Sequence, residues 1–411
     1  MVTTLQYGNG ASCRLELDDV VHVRPAPHVP IDAADLAEHV RAALQAPLGY
    51  PPLIAATVPG DRVVVALEHG LPLVRQLVEG VSTALREAGV DPSLATFLYC
   101  QDPAGAEGAF DQWATDRQLR VELHDPSDEK SCSFFGVTHA GNALRLNRKL
   151  CDADVVLPIG VMSVGLDAEG NGAKFNGLFP QFSDEETIAR HLAPEGTKPG
   201  ESRQEQRNEI DESGWLLGVG LAVQAVPGPN GTVAAVLAGE PSAVARAATE
   251  KYLELWRRSV DAPGDLVIAT VAGPAGEQSW ENIGRALLAA ERVLEPGGAI
   301  AICSELAALP GRSLRRLADN GDYERLERSL QRDRLADSRT ALAVCRALQR
   351  GPVYFHSQLE PDRVESLGLA PIASDAELAR LAKSYRRPIV LEDAHRLLPL
   401  VARRSTKPSA K

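Results

Sequence analysis

The sequence predicts an α/β protein built from two domains, and three observations support this fold class. The chain has 411 residues, which is about two to three times the length of a typical domain. Apolar residues make up 44% and charged residues 24%, a composition typical of globular proteins. In both halves, short β-branched runs alternate with amphipathic helical segments. We therefore expect two α/β domains with a cleft between them.

The first domain is predicted to span residues 1–260. A helix is predicted over residues 73–88, where Gly89 ends it. Buried strands are predicted at 62–67, 95–99, 120–124 and 154–160. Ligands bind beyond the carboxyl ends of the strands in open α/β sheets, so the loops after these strands are candidate sites.

Three further segments of the first domain carry information. A Gly/Asn-rich loop occupies residues 165–177. The polar stretch 193–212 is predicted to be a mobile loop or lid, because it offers little apolar surface to bury. Residues 216–239 are uncharged and long enough for a membrane span, but the Gly/Pro/Asn run at 227–231 predicts two strands joined by a turn.

The second domain is predicted to span residues 261–387, again as an α/β unit. Its strands are predicted at 265–270, 299–303 and 353–355, and its helices at 279–294 and 337–350. A last strand at 388–393 is compatible with a return to the first domain, which would then also include residues 388–411.

Charge and cysteine usage exclude several classes of protein. Lysine and arginine total 43 against 55 acidic residues, so the net charge of −12 argues against a nucleic-acid partner. The six cysteines are widely and irregularly spaced, which predicts packed thiols in a reducing compartment. They are Cys13, Cys100, Cys132, Cys151, Cys303 and Cys345. No signal peptide or membrane segment is visible, which predicts a cytoplasmic protein without a membrane partner.

The Gly/Asn-rich loop is the most informative segment. Gly170, Asn171 and Gly172 permit backbone conformations that bring amide N–H groups close to an anion, and Lys174 could bind a phosphate or react as an amine. The alternative is a loop with positive φ angles and a solvated lysine. ATP is not expected, because no Gly-Lys-Ser/Thr follows, and NAD is not expected, because no Gly-x-Gly-x-x-Gly follows a strand.

The nine histidines form no recognisable metal-binding motif. His69 follows Glu68 at the end of a buried strand, where both side chains would face a cleft, and His124 ends another strand. His191 lies on the helix after the Gly/Asn-rich loop. Each histidine taken alone is more often a structural or surface residue than a functional one.

In the second domain, Asn282 and Arg285 open a helix together with Glu281. One interpretation is that Asn282 and Arg285 hold a substrate carboxylate, a role suited to a planar guanidinium. The other is that Glu281 and Arg285, four residues apart, form a surface ion pair.

Several of these segments resemble the nickel-pincer-nucleotide lactate racemase family. The resemblance is strongest at Arg145–Arg148, at 153–160 and at Gly172–Lys174, and it extends to His124–Pro126, to Tyr7–Gly8 and to Pro296–Gly298. It implies that Lys174 tethers a nickel-pincer nucleotide and that His191 is the protein ligand of the nickel. It also implies hydride transfer from the substrate Cα to the cofactor, with histidines handling the hydroxyl proton.

The chain departs from the family's pattern at its catalytic positions. Leu71 stands where the family has its substrate-binding arginine, and Gln101 and Val164 stand where it has its two catalytic histidines. His69 or Glu68 would then move the proton, and Asn282 with Arg285 would bind the substrate. The loss of a general base typically costs 10²–10⁴ in rate.

Two functions remain open on the sequence. One is a nickel-pincer-nucleotide-dependent racemase or epimerase acting on a 2-hydroxy acid or related polyol acid other than lactate. The other is a catalytically silent relative that binds a small metabolite in the interdomain cleft. Both imply a small-molecule partner, and a homo-oligomer is compatible with either.

Overall fold

The computed structural model describes residues 2–16, 20–100, 109–128, 130–163, 174–175, 177–192, 201–318 and 322–402. Two units emerge from the contacts within the chain. Residues 28–252 form the continuous unit, and residues 1–27 with 253–411 form the discontinuous unit.

The chain begins with three strands of the discontinuous unit: β1 (Val2–Tyr7), β2 (Ala11–Glu16) and β3 (Val21–Val23). The continuous unit then contributes eight strands in the described residues: β4 (Val63–Leu67), β5 (Thr96–Tyr99), β6 (Arg120–Leu123), β7 (Cys132–Val137), β8 (Ala143–Asn147), β9 (Val155–Val161), β10 (Ala222–Pro227) and β11 (Val233–Gly239). The helices in the same part of the chain are α1 (Leu36–Gln45), α2 (Leu53–Ala56), α3 (Val74–Glu87), α4 (Ala109–Thr115), α5 (Arg148–Cys151), α6 (Glu185–Leu192), α7 (Glu201–Leu216) and α8 (Pro241–Trp256).

The continuous unit is built on a six-stranded sheet in the order β11-β10-β9-β4-β5-β6. All neighbouring strands are parallel except the β10–β11 pair at the edge, which is the hairpin predicted from the turn at 227–231. Val63, Val65 and Leu67 face α1 and α3 on one side of the sheet, whereas Val64 and Ala66 face Phe175 on the other. This alternation explains why β4 is apolar throughout: both of its faces are covered.

One segment of this unit differs from the prediction. Residues 201–216 form helix α7, so residues 201–212 of the predicted mobile loop are helical, and residues 193–200 lie outside the described part of the chain. The segment is rich in Glu, Gln and Arg, which favour helix formation even where little apolar surface is buried.

After α8, the discontinuous unit continues with seven strands in the described residues: β12 (Arg257–Val260), β13 (Gly264–Thr270), β14 (Leu294–Cys303), β15 (Val353–His356), β16 (Ala370–Pro371), β17 (Pro388–Leu391) and β18 (Leu398–Val401). Its helices are α9 (Trp280–Glu291), α10 (Arg312–Arg315), α11 (Tyr323–Leu330), α12 (Ser338–Arg350), α13 (Pro361–Glu365) and α14 (Asp375–Lys383).

The second sheet also has six strands, all parallel, in the order β16-β15-β14-β13-β17-β3. Strand β17 pairs with β13, so the strand predicted at 388–393 lies in this sheet and not in that of the first domain. Strand β3 pairs with β17, and the N-terminal residues 1–27 therefore belong to this unit. The sequence suggested that the end of the chain could return to the first domain. In the structure, residues 1–27 instead join the unit formed by the end of the chain.

The two parallel sheets and their flanking helices confirm the predicted α/β class. No helix among the described residues is long and apolar enough to cross a membrane.

Candidate functional site

The carboxyl end of β4 carries Glu68, one of the two residues predicted to move a proton. Its Oε2 accepts a hydrogen bond from the Val161 N–H at 2.5 Å, and its own N–H donates to the Ile159 carbonyl at 3.0 Å. Gly177 packs against it so closely that an added Cβ would lie 2.9 Å from Glu68 Cβ. Glu68 therefore joins the ends of β4 and β9 in this structure.

His69, the second predicted acid/base residue, is exposed beside Glu68. Its backbone N–H donates to the side-chain Oε1 of Gln181 at 3.1 Å. The side-chain Nε2 of Gln181 in turn donates to the carbonyls of Leu67 and Gly177. Gln181 thus fixes the turn from which the imidazole projects. The structure brings His69 and Glu68 to the same strand end, as predicted, and leaves their catalytic role a prediction.

The neighbouring strand end offers no ready base. Cys100 follows β5, and burial together with the negative charge of Glu68 raises the pKa of its thiol to about 12. Leu71, at the position of the family's arginine, is buried. Gln101 and Val164 lie outside the described residues.

His124 is a structural residue. Its Nε2 lies 2.8 Å from the Ser183 carbonyl oxygen, which can only accept, so Nε2 carries the proton. Asn147 donates its side-chain Nδ2 to His124 Nδ1 at 3.0 Å, while its Oδ1 accepts from the Lys149 N–H. Burial lowers the pKa of His124, which keeps the ring neutral.

His191, the predicted nickel ligand, is also engaged. Its Nε2 lies 2.7 Å from Glu209 Oε2, and its ring packs edge-on against Phe179 at 4.8 Å between centroids. Arg190 donates to the other oxygen of Glu209 at 2.5 Å. His191 is only 5% exposed. A carboxylate on one ring nitrogen of a histidine commonly orients a metal ligand, which then binds the metal through its other nitrogen. Here Glu209 holds Nε2.

Lys174, the predicted tether, has an accessible side chain. Its Nζ lies 3.8 Å from Asp211 Oδ2, and its backbone N–H donates to Asp211 Oδ1 at 3.0 Å. Burial raises the pKa of Asp211, and Lys174 opposes that effect. The predicted partners Gly170, Asn171 and Gly172 lie outside the described residues.

The Lys174 side chain lines a cavity of about 640 Å³ within the continuous unit. The other lining residues come from the turn before α2, the end of the β7–β8 hairpin, α7, the start of β10 and the start of α8: Tyr50, His139, Phe175, Asp211, Glu212, Trp215, Gly218, Val219, Gly220, Glu240, Pro241 and Ser242.

This cavity lies at the amino edge of the parallel strands. Gly220 precedes β10, and Glu240 follows β11, which runs antiparallel to β10. Glu68 is at the opposite edge, since it follows β4. Lys174 lies three residues before Gly177, which packs against Glu68.

In the discontinuous unit, the side chain of Asn282 is turned inward. Its Nδ2 donates to the Glu277 carbonyl and to Glu277 Oε2, each at 2.9 Å. Arg285 donates to Glu281 Oε1 at 2.7 Å, which is the surface pair anticipated as the alternative to substrate binding. Neither contact assigns a substrate to these residues.

Sequence reasoning missed the charged group at the centre of this cluster. Glu277 is buried, and it pairs with Arg396 and with His395 Nε2 at 3.3 Å. Burial raises the pKa of Glu277, but Arg396 and His395 outweigh it and lower the pKa to about 2. Glu277 follows strand β13, and His395 and Arg396 follow strand β17. Their positions after predicted strands were the sequence feature that could have indicated this cluster.

No group of three or more histidine, cysteine or acidic side chains in the described ranges is placed to hold a metal ion. The accessible amine of Lys174 fits a covalent tether. Glu209 holds Nε2 of His191, so a nickel ion held by this residue would bind Nδ1.

Fold and site together describe an α/β protein with an accessible lysine beside a cavity of its continuous unit. Residues 7–193 match the lactate racemase N-terminal domain family. The structure is similar to that of the lactate racemase apoprotein from Thermoanaerobacterium thermosaccharolyticum, with 15% identity, 98% of this chain and 100% of the other covered, and a TM-score of 0.76.

A Thermotoga maritima protein is similar at 12% identity, with 91% of this chain and 99% of the other covered and a TM-score of 0.63. At these identities, likeness of structure establishes the fold alone. Curated protein sequences give no match. The match over residues 7–193 and the shared fold support the resemblance to lactate racemases seen in the sequence.

Proposed function

We propose that this chain is a member of the lactate racemase family that binds a small molecule and does not racemise lactate. The observation that carries the proposal is the separation of the predicted catalytic parts. Lys174 lines a cavity at the amino edge of the first sheet, whereas Glu68 and His69 lie at its carboxyl edge.

The contacts of the individual residues support the same conclusion. Glu68 is bound to a backbone N–H, and His191 is bound to Glu209. Leu71 cannot clamp a carboxylate, a role that needs the paired donors of an arginine. Lactate orientation and proton transfer would lack the groups that the family uses, and His191, at the nickel-ligand position, has one ring nitrogen bound to Glu209.

The second candidate is a nickel-pincer-nucleotide-dependent racemase or epimerase of another 2-hydroxy acid or polyol acid. One observation favours it: Lys174 presents an amine that is 48% exposed, as a covalent attachment point requires. Lactate racemases in general depend on this cofactor, which supplies hydride acceptance when bound. In that case the exposed His69 would be the base that handles the hydroxyl proton.

A chiral assay separates the two candidates. The chain and an active lactate racemase are produced in the same cofactor-synthesising cells, and each is incubated with single enantiomers of lactate and of a panel of larger 2-hydroxy acids. We expect the reference enzyme to equilibrate lactate and this chain to leave every acid unchanged. Interconversion of any acid by the chain, lost in the His69→Ala variant by about 10²-fold or more, would overturn the proposal in favour of the second candidate.

A further inference from the structure

The cavity at the amino edge of the continuous unit has the chemistry of a receptor for organic cations. We infer that it binds an aromatic or quaternary organic cation between its carboxylates and its aromatic walls. This inference rests on the proposed small-molecule-binding function and names the class of ligand.

The walls of the cavity are aromatic. Tyr50, Phe175 and Trp215 line the cavity, and Trp215 is 75% exposed whereas Phe175 is buried. An exposed indole at the mouth of a cavity offers its π face to a ligand, and the faces of aromatic rings attract cations. The volume of about 640 Å³ suits a molecule of ordinary metabolite size.

Close packing with two glycines holds these rings in place. A Cβ at Gly214 would lie 2.2 Å from the Phe175 ring, and a Cβ at Gly220 would lie 2.4 Å from the Tyr50 hydroxyl. Both rings therefore rest directly on backbone. The aromatic walls are fixed before any ligand arrives, which reduces the entropy cost of binding.

The charge of the lining is negative. Asp211, Glu212 and Glu240 face a single ammonium group, that of Lys174, and Asp211 compensates it at 3.8 Å. Lys174 also acts on Glu240, and Glu212 pairs with His139, so three carboxylates share one ammonium group and one histidine.

Glu240 accepts the backbone N–H groups of Ser242 and Ala243 at 2.9 and 2.8 Å. Burial raises the pKa of Glu240, but these donors and the charge of Lys174 outweigh it and lower the pKa, so the group stays ionised. Glu212 accepts the His139 N–H at 2.9 Å, and its other oxygen lies 3.1 Å from His139 Nδ1. An anionic ligand would meet repulsion here, whereas a cation would meet a lining in which three carboxylates face one ammonium group.

The probe for this site is benzyltrimethylammonium, compared with benzyl alcohol and phenylacetate by isothermal titration calorimetry on the full chain. We expect the cation to bind about tenfold or more tightly than the neutral compound, and phenylacetate not to bind. Trp215→Leu and Glu212→Gln should each weaken cation binding by several-fold. Trp215 is exposed and Glu212 is paired only with a surface histidine, so both variants should keep the wild-type melting temperature.

The matched control is Glu79→Gln, which removes a carboxylate of similar exposure from an ion pair with Arg117 outside the cavity and should leave binding unchanged. Equal binding of cation and neutral compound, or equal losses in the Glu79 and Glu212 variants, would overturn the inference. Preferential binding of phenylacetate would overturn the ligand class while leaving a small-molecule site in place. Racemisation in the chiral assay, in contrast, would overturn the proposed function whatever the probe shows.

Discussion

Single residues of the discontinuous unit show how the fold holds charge in its interior. Glu277, Arg396 and His395 are all buried, and an ionised carboxylate is stable there only because Arg396 and Asn282 bond to it. His395 is neutral, since burial lowers its pKa to about 4 although Glu277 favours its protonation. This group makes stability depend on pH.

We predict that the free energy of unfolding falls as pH decreases from 6.5 to 4. The ordinary pKa of histidine is 6.5, so the unfolded chain takes up a proton at residue 395 in this window and the folded chain does not. Proton uptake by the unfolded state favours unfolding, with a slope of up to about 1.4 kcal/mol per pH unit. Urea unfolding at several pH values measures this slope.

His395→Gln is the informative variant, because it removes this titrating group and should reduce the slope between pH 4 and 6.5, while buried His124, whose pKa is also lowered, keeps part of it. The contribution of Glu277 falls in a lower window: its pKa is lowered from 4.5 to about 2, so its stabilisation is complete above pH 4.5 and is lost toward pH 2. That acid limb should persist in the variant. An unchanged slope between pH 4 and 6.5 would show that His395 is not buried neutral.

The sequence predicted individual site residues better than their partners. Glu68 and His69 were placed at a strand end because a β-branched run stops there, and the structure agrees. Glu209 and Asp211 bind His191 and Lys174 from a helix about 18 and 37 residues away. Such pairings depend on how α7 packs, which no local pattern encodes.

At the scale of elements, the ends of β4 and β9 are joined through a glycine. Gly177 has φ +84°, and an added Cβ would lie 2.9 Å from Glu68 Cβ and 3.1 Å from Gly160 Cα. Gly70 has a similar φ of +80° but nothing within 4 Å of the same position. Comparing substitutions at Gly70 and Gly177 therefore distinguishes the cost of a positive φ from the cost of steric contact.

We predict that Gly70→Ala lowers the free energy of unfolding by about 1 kcal/mol, the cost of a left-handed conformation. Gly177→Ala should cost a further 1–3 kcal/mol, roughly, because neighbouring backbone must move. Urea unfolding of the two variants gives the comparison. Equal losses would mean that the contact between Gly177 and Glu68 is absent in solution.

Strands and the hairpin were the most predictable elements. Runs of valine, isoleucine and leucine closed by polar or glycine-containing loops located β4, β9, β13 and β14, and the Pro/Gly/Asn run located the turn before β11. Helix α7 was not predicted, because few apolar residues mark a buried face and its helix propensity was given too little weight.

At the scale of the whole molecule, strand order was beyond the sequence. A parallel strand carries no local signal for its neighbour, so neither the pairing of β17 with β13 nor that of β3 with β17 could be predicted. The pairing of β3 assigns the first 27 residues to the unit formed by the end of the chain. The likeness to lactate racemases, which depends on segments spread over much of the chain, was predictable.

A chain without a working nickel centre should carry neither nickel nor the mass of a tethered cofactor. Intact mass and elemental nickel are determined for the chain and for an active lactate racemase purified from the same cofactor-synthesising cells. We predict a loaded reference and an unmodified, nickel-free chain. A mass increment on the peptide containing Lys174, with near-stoichiometric nickel that is lost in His191→Gln, would contradict the account.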